Sequence, residues 1–210
     1  MPQNITTDQD TQISNFWNER FGRDDFFYGK QPNAYFRSVI DKLPAGRLLV
    51  PGAGEGRDAV YAATRGWEVH CLDLSDQGRR KAILLAAESG VSISYHVSSI
   101  ADAHYPAGHF DMIASIFFHL PPQIRDKFYT DSLTWLRTGG LFLMEAFTPA
   151  QLSNTSGGPK DISMLVDPAQ LAADLAALHT LKLSEEEPIL NEGPHHSGKA
   201  NVVDYLGLRK

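Results

Sequence analysis

Short apolar runs alternate with amphipathic stretches along most of the chain. Five apolar runs have the length of buried strands, and they lie at about 47–51, 67–73, 92–97, 110–116 and 141–147. Three stretches between them place apolar residues at helical spacing, and they lie at about 57–65, 76–89 and 122–136, the last closed by Gly139 and Gly140. Strands that alternate with helices predict a parallel sheet with right-handed crossovers.

The two ends of the chain have a different character. Residues 1–12 are polar, and we expect a flexible N-terminus there. An aromatic-rich segment follows up to about residue 45, and Pro32 to Ile40 reads as a helix with proline in its first turn. These 13–45 helices precede the first strand, and we expect a single domain over 13–210.

After residue 147 the pattern predicts a loop, a helix and two more strands. The loop over 151–164 is rich in Gly, Pro and Ser, and a helix is predicted over 168–178. The last strands are predicted at about 180–187 and 200–208. A short connection joins them, so we expect them to be antiparallel.

Three glycines at every second position end the first apolar run. Gly52, Gly54 and Gly56 lie in the segment RLLVPGAGEGRD, and Asp73 ends the second apolar run seventeen residues after the last of them. Glycine allows a sharp turn and lets a ligand lie against bare amides, and the following helix N-terminus offers unpaired N–H groups. A carboxylate at the tip of the second strand is placed to accept both hydroxyls of a ribose. The segment therefore predicts a site for a nucleoside-containing cofactor.

The glycine spacing limits the kinds of cofactor that this segment can bind. The dinucleotide fingerprint is G-x-G-x-x-G, whereas this chain reads G-x-G-x-G, and it has no G-x-x-x-x-G-K-[ST] phosphate loop. The alternative interpretation is a glycine-rich turn that binds nothing. The order of strand, loop, helix and acidic strand end favours the binding site.

Composition excludes several classes of function. The net charge of −6 and the lack of a Lys/Arg cluster argue against a nucleic-acid partner. The chain starts without a basic and apolar leader, and no apolar run approaches membrane-spanning length. The single cysteine, Cys71, cannot form an internal disulfide, which fits a reducing compartment. We therefore expect a cytoplasmic protein without membrane partners, as a monomer or homodimer.

The glycine segment and Asp73 resemble motif I and the acidic loop of class I S-adenosylmethionine-dependent methyltransferases. The resemblance implies a Rossmann-like, doubly wound, mostly parallel seven-stranded sheet of order 3-2-1-4-5-7-6 that ends in an antiparallel hairpin. It also implies S-adenosylmethionine as the cofactor and S-adenosylhomocysteine as the product. The cofactor-binding residues expected on this basis are Trp17, Tyr28, Gly29, Gly52, Ala53, Gly54, Gly56, Arg57, Asp58, Asp73, Leu74, Ser99, Ile100 and Ser115.

Several segments more closely resemble the small bacterial tellurite-resistance TehB-like methyltransferases. They are Phe16–Phe21, Tyr28–Asn33, Phe118–Pro122 and Glu192–Lys199, so the similarity covers most of the chain from about residue 14. In such enzymes the N-terminal segment folds over the cofactor, which implies a cover that brings Trp17, Tyr28 and Gly29 near the methionine end.

Two positions depart from the common class I pattern. The acidic residue often found two positions before the first glycine is replaced by Val50. The aspartate that often reads the adenine amino group falls at Ser99, with Asp102 three residues later. We expect adenine to be recognised by Ser99 and the Ile100 backbone, rather than by Asp102.

Methyl transfer from a sulfonium is an in-line displacement in which the protein mainly aligns the reactants and excludes water. A general base is needed only for a poorly ionised hydroxyl or amine. His119 and His195 are the candidate catalytic residues, with His196 beside the latter. Cys71 and the histidines show no metal-ligand spacing, and we expect no metal.

The primary hypothesis is a methyltransferase for a small-molecule acceptor, such as a thiol or a selenium or tellurium compound. The alternatives are O- or N-methylation of a small metabolite, and a non-catalytic protein that senses S-adenosylmethionine. The loop-rich region over 148–165 favours an enzyme, because it can build a second pocket. No Asn-Pro-Pro-Tyr-like motif for base methylation is present.

Overall fold

The computed structural model describes residues 5–193 and 195–210. Its helices are α1 Ile5–Phe21, α2 Ala34–Ile40, α3 Arg57–Thr64, α4 Asp76–Glu88, α5 Pro122–Trp135 and α6 Pro168–Asp174. Its strands are β1 Arg47–Pro51, β2 Glu68–Asp73, β3 Ser94–Val97, β4 Phe110–Ile116, β5 Leu136–Phe147, β6 Leu178–Glu186, β7 Ile189–Asn191, β8 Ser197–Lys199 and β9 Val202–Arg209.

Seven strands form one twisted sheet of order β3-β2-β1-β4-β5-β9-β6. The pairs among β1 to β5 are parallel, and β9 runs antiparallel to both β5 and β6. Since β9 is the seventh strand of this sheet, the predicted order 3-2-1-4-5-7-6 is confirmed. The central strands β1 and β4 are almost wholly buried, which explains their nearly continuous apolar sequences.

Two apolar cores lie on opposite faces of this sheet. One contains Phe110, Phe128 and Tyr205 under α5 and α6, and the other contains Phe36 and Met112 under α2 and α3. Because β2, β1 and β4 are adjacent and parallel, their carboxyl ends meet at one edge of the sheet, where the glycine segment begins.

Strand β5 begins earlier than predicted. The helix was expected to be closed by Gly139 and Gly140, but β5 starts at Leu136, directly after α5. Leu136 pairs with Phe110, and the next pair joins Met112 to Leu141, so residues 137–140 form a bulge in which Gly139 has a φ of +75°. The glycine pair therefore shapes a bulge within the strand instead of a turn before it.

The connection between the last two sheet strands is longer than a simple turn. Strands β7 and β8 pair antiparallel within it and form a separate two-stranded sheet. We call residues 189–199 the C-terminal hairpin. At the other end, α1 begins at Ile5, so helical backbone reaches into the stretch expected to be flexible; its flexibility stays a prediction, and residues 1–4 lie outside the described residues.

A pair of buried carboxyl groups lies between β5 and β9. Glu145 and Asp204 face each other in register, and the Asn33 amide donates to Glu145 Oε1 at 2.7 Å. Burial and the nearby charge of Asp204 raise the pKa of Glu145 well above its ordinary range. Protonated Glu145 can then donate to Asp204, whose other oxygen accepts from Lys182 at 2.8 Å.

Replacing Glu145 with Gln should make stability less dependent on pH. Because the folded-state pKa of Glu145 lies above its ordinary 4.5, its favourable contribution is complete below that value and is lost as the pH rises towards the folded pKa. Thermal unfolding should show similar stability at about pH 5 and a growing advantage of the Gln variant, of about 1 kcal/mol or more, towards about pH 8. A difference that does not change with pH would contradict a protonated Glu145.

Candidate cofactor and methyl-acceptor site

The glycine segment leaves β1 in a left-handed conformation. Gly52, Gly54 and Gly56 have φ values of +63°, +51° and +87°, which side chains other than glycine rarely adopt. The turn is held by the Gly52 N–H, which donates to the Leu72 carbonyl at 2.8 Å. A Cβ at Gly56 would lie 2.6 Å from Ala82 Cβ of α4, so this glycine also permits close helix packing.

Asp73 lies beside this turn at the end of β2. Its Oδ2 accepts from the Gly54 N–H at 2.9 Å, and its Oδ1 accepts from the Ser75 N–H at 2.8 Å. Burial raises the pKa of Asp73, while these N–H groups lower it. Each carboxylate oxygen retains free acceptor capacity, as binding a ribose diol requires.

The residues expected to read adenine follow β3, next to Asp73. The Ser98 N–H donates to the Asp73 carbonyl at 3.0 Å, which fixes this connection at the end of β2. Ser99 and Ile100 are buried, and Ser99 Oγ caps a short 3-10 turn. Asp102 is exposed. Tyr95, which the sequence analysis missed, donates from its hydroxyl to the Gly54 carbonyl at 2.8 Å.

Helix α1 is fixed to the same edge of the sheet. Ser14 Oγ donates to the Leu74 carbonyl at 2.8 Å, and Asn18 Oδ1 accepts from Ser75 Oγ at 2.8 Å and from the Gln77 N–H at 3.0 Å. The α1 side chain Asn18 thus satisfies the N-terminus of α4. These contacts hold the N-terminal segment over the end of β2.

Aromatic rings from this segment lie against the glycine turn. A Cβ on Gly54 would lie 3.2 Å from the Phe21 ring. Trp17 stacks on Phe21 with a centroid distance of 5.3 Å, and Tyr28 is 6.4 Å from Phe21. Phe21 thus makes the direct contact with the glycine turn, and Trp17 and Tyr28 pack around Phe21; their place near the methionine end stays a prediction.

Glu55, within the glycine segment, holds the loop that contains Tyr28. It is buried, and its Oε2 accepts from the Phe27 N–H at 2.7 Å and from the Tyr28 N–H at 3.4 Å. Its Oε1 pairs with Lys81 of α4 at 2.8 Å. The sequence analysis missed this role, although an acidic residue between two glycines was the available signal.

The side chains of Arg57 and Asp58 turn away from the glycines and towards the two ends of the chain. Arg57 pairs with Glu192 of the C-terminal hairpin at 2.8 Å and donates to the Tyr28 carbonyl at 3.3 Å. Asp58 accepts from the Asn33 N–H at 2.7 Å. The expected contribution of these two residues to the cofactor can therefore come only from their backbone amides, which stays a prediction.

The N-terminal segment and the C-terminal hairpin meet backbone to backbone. A Cβ on Gly193 would lie 2.6 Å from the Gly29 nitrogen. Gly29, predicted near the methionine end, thus packs against the hairpin. Together with the Arg57–Glu192 ion pair, this contact joins the N-terminal segment to the C-terminal hairpin.

A second group of aromatic residues lies beyond the end of β4. Phe117 has a φ of +50°, a conformation that costs about 1–2 kcal/mol outside glycine, and its N–H donates to the Glu145 carbonyl at 2.8 Å. Its ring lies 4.7 Å from Phe147 and 4.5 Å from His196. The sharp turn places the next ring, Phe118, against Gly52.

The three histidines near this site differ sharply. His119 has both ring nitrogens engaged, Nδ1 with the Met164 carbonyl at 2.9 Å and Nε2 with the Phe147 N–H at 3.3 Å. Burial lowers the pKa of His119 to about 4. His195 is exposed and stacks on Phe27 at 3.9 Å. These positions favour packing roles for the two predicted catalytic histidines, whose catalysis stays a prediction.

His196 is buried and oriented by a carboxylate. Its Nδ1 lies 2.8 Å from Glu192 Oε2. Burial alone would raise the pKa of Glu192, but the hydrogen bond with His196 and the charge of Arg57 hold it at about 2. Glu192 is thus an anion that keeps a proton on Nδ1 and leaves Nε2 as an acceptor. In the described part of the chain, no group hydrogen-bonds to Nε2.

Ser115, also expected to contact the cofactor, is a buried residue of β4. Its hydroxyl is one of nine buried side-chain polar atoms that find no hydrogen-bond partner among the described residues. An unsatisfied buried hydroxyl usually indicates a missing partner.

Within residues 5–193 and 195–210, no group of three or more His, Cys, Asp or Glu is arranged to bind a metal ion. In the same residues, no helix combines the length and apolar character needed to cross a membrane.

Comparison with known proteins agrees with this geometry. Residues 49–140 match a family model described as a methyltransferase domain, and this range contains the glycine turn and Asp73. Among curated proteins no significant match is found.

Many solved structures share the fold. One comes from a structural study of the conversion of a disulfide bond into a thioacetal group during echinomycin biosynthesis; it is 15% identical with a TM-score of 0.75 and covers 96% of this chain and 91% of that one. TehB from Haemophilus influenzae is 15% identical, with a TM-score of 0.70, and covers 94% and 67%. The N-methyltransferase NodS from Bradyrhizobium japonicum WM9, in complex with S-adenosylhomocysteine, is 12% identical with a TM-score of 0.72 and covers 94% and 98%.

Residues 49–140 therefore match a methyltransferase domain, and the chain shares the fold of TehB. The predicted class of enzyme, with S-adenosylmethionine as its cofactor, is confirmed at that level. The residues present fit this cofactor: the turn has the left-handed glycines Gly52 and Gly54, Asp73 offers carboxylate oxygens, and Ser115 offers an unpaired hydroxyl.

Replacing Asp73 with Ala should weaken the binding of S-adenosylhomocysteine by at least roughly tenfold, because charge-assisted hydrogen bonds to the ribose are lost. Calorimetry on the folded variant measures this. Asp102→Asn is the matched control, since exposed Asp102 should leave affinity within about twofold. Equal affinity of the Asp73 variant and the wild type would remove Asp73 from the site.

The N-terminal segment should become more rigid when ligand binds. Because α1 and the Tyr28 loop cover the glycine turn, amide hydrogen exchange over residues 16–36 should slow after S-adenosylhomocysteine is added. Mass spectrometry resolves this segment from α5, which serves as an internal control. If the rate of amide exchange over residues 16–36 does not change when the ligand is added, Trp17 and Tyr28 are packing residues only.

Proposed function

We propose that this chain transfers a methyl group from S-adenosylmethionine to a small protic acceptor, an amine, hydroxyl or thiol, and that His196 removes the acceptor's proton. The observation that carries this proposal is the buried Glu192–His196 pair at 2.8 Å, next to Phe117 and Phe147. Phe117 directly follows the end of β4, and Phe147 is the last residue of β5.

The surroundings of His196 support an apolar acceptor pocket. Tyr28 lies 5.3 Å from the His196 ring, and Phe117 and Phe147 lie on other sides. The loop over 148–165 approaches closely, since a Cβ on Gly157 would lie 2.9 Å from His196 Cδ2. Aromatic walls with one oriented polar group are typical of small-molecule sites.

The loop over 148–165 is itself firmly held. Gln151 is buried, and its amide donates to Ser156 Oγ at 2.9 Å and to the Gly157 carbonyl at 3.0 Å. Its carbonyl oxygen accepts from the Asn201 N–H at 2.9 Å. A pocket wall fixed in this way supports selective binding, because little order has to be gained when the acceptor arrives.

The reaction is a displacement at the methyl carbon. When bound, S-adenosylmethionine would supply an activated methyl group, and its transfer to the acceptor's lone pair would leave the carbon–sulfur electron pair on sulfur as a neutral thioether. The acceptor's proton passes to His196 Nε2, and Glu192 stabilises the resulting imidazolium through Nδ1. Glu192 thereby orients the histidine and balances the charge that it gains.

A readily ionised acceptor would need little of this assistance. Selenium and tellurium oxyanions carry no proton that must be removed, so the Glu192–His196 pair favours amines, hydroxyls and thiols over them. The net charge of −6 supports a small molecule rather than nucleic acid as the acceptor.

A screen over amines, phenols, thiols, selenite and tellurite, read as release of S-adenosylhomocysteine, tests the proposed class. Activity confined to selenite or tellurite would contradict the proton-transfer role of His196. The absence of turnover with every acceptor, despite cofactor binding, would favour a sensor.

His196→Gln should lower kcat by about 10²–10⁴-fold, because general-base catalysis contributes that much. The affinity for S-adenosylhomocysteine should stay within about twofold, and the limb of the pH–rate profile that reports the base should disappear. His195→Gln is the matched control, since its ring stacks on Phe27 at the surface. Loss of activity in the His195 variant but not in the His196 variant would overturn the assignment.

A further inference from the structure

Phe118 occupies a position that the cofactor assignment leaves unexplained. A Cβ on Gly52 would lie 2.3 Å from Phe118 Cδ2, so the ring rests directly on the first glycine of the turn. The other contacts of the ring are with the α5 side of the core, where Phe128 lies at 5.9 Å. One part of Phe118 is therefore anchored in the core, and another part faces the turn.

The backbone is strained in the direction that produces this contact. Phe117 is the only residue other than glycine with a positive φ in residues 5–193 and 195–210. Its left-handed turn sends the Phe117 ring towards His196 and the Phe118 ring towards Gly52. Strain of this kind persists where the surrounding structure enforces it, and it is concentrated at functional sites.

The surroundings of Gly52 suit the Phe118 ring for contact with a positively charged group. Residues Val50 and Pro51, which lead into the turn, carry no charge, and Val50 is buried. The carboxylate of Asp73 is directed at Gly54 and Ser75 on the other side of the turn. A positively charged group held over Gly52 would therefore meet an aromatic ring. Aromatic faces attract such cations through their quadrupole.

We propose that Phe118 determines selectivity for the charged sulfonium of S-adenosylmethionine over its neutral demethylated product. This inference rests on the proposed function, since it requires the cofactor to lie over the glycine turn. The two ligands differ at the sulfur by one methyl group and one positive charge. A ring at Gly52 favours the charged form, which promotes product release after each turnover.

The test is the ratio of the two affinities in Phe118→Leu, measured by calorimetry. Leucine retains apolar contact and removes the quadrupole. Affinity for S-adenosylmethionine should fall by about two- to thirtyfold, and affinity for S-adenosylhomocysteine should stay within about twofold. The matched control is Phe110→Leu, because Phe110 begins β4 at the opposite end of the strand from Phe118, and its ratio should equal that of the wild type.

Replacing Phe118 with progressively fluorinated phenylalanines keeps the shape of the ring and weakens its negative face. Affinity for S-adenosylmethionine should then fall stepwise, while affinity for S-adenosylhomocysteine stays constant. An unchanged ratio in both kinds of variant, with normal binding by the wild type, would overturn this inference alone. A wild-type protein that binds neither ligand would contradict the proposed function as well.

Discussion

The left-handed backbone of the glycine turn is the constraint on which this structure depends. Because Gly52 and Gly54 carry no side chains, residues from the ends of three neighbouring strands can pack on their backbone. Asp73 and Tyr95 hydrogen-bond to the two polar groups of Gly54, and Phe118 rests on Gly52. The same absence of Cβ atoms that lets a cofactor approach thus also brings the ends of β2, β3 and β4 together.

Most of the sheet could be predicted from the sequence because its central parallel strands, such as β1 and β4, are almost wholly buried. A buried strand between helices produces an apolar run with clear limits, and β1 and β4 end at the predicted residues. The start of β5 and the C-terminal hairpin could not be predicted in the same way. Whether glycines 139 and 140 form a turn or a bulge depends on pairing with Phe110 and Met112, which local sequence does not contain.

The residues of the candidate site likewise differ in how far the sequence predicts their contacts. Gly52, Gly54 and Asp73 belong to one short motif whose spacing determines its geometry, so their proximity was predictable. The polar contacts that fix the N-terminal segment and the C-terminal hairpin join residues more than a hundred positions apart, as in the Asn33–Glu145 and Arg57–Glu192 contacts. The one local signal was a charge inside an apolar run, as for Glu145 in LFLMEAF and Asp204 in VVDYLGL. Such a charge must find a buried partner, but the sequence does not say which one.

Tyr28 connects the two halves of the site physically. Its ring lies 6.4 Å from Phe21, which touches the glycine turn, and 5.3 Å from His196, which borders the proposed acceptor pocket. Burial raises the pKa of Tyr28 to about 12, so its phenol stays neutral and serves as a wall. The backbone of this residue is held by Glu55 and Arg57, both of which begin in the glycine segment. A ligand that displaces the turn would therefore also act on the backbone contacts of Tyr28, whose ring packs against His196.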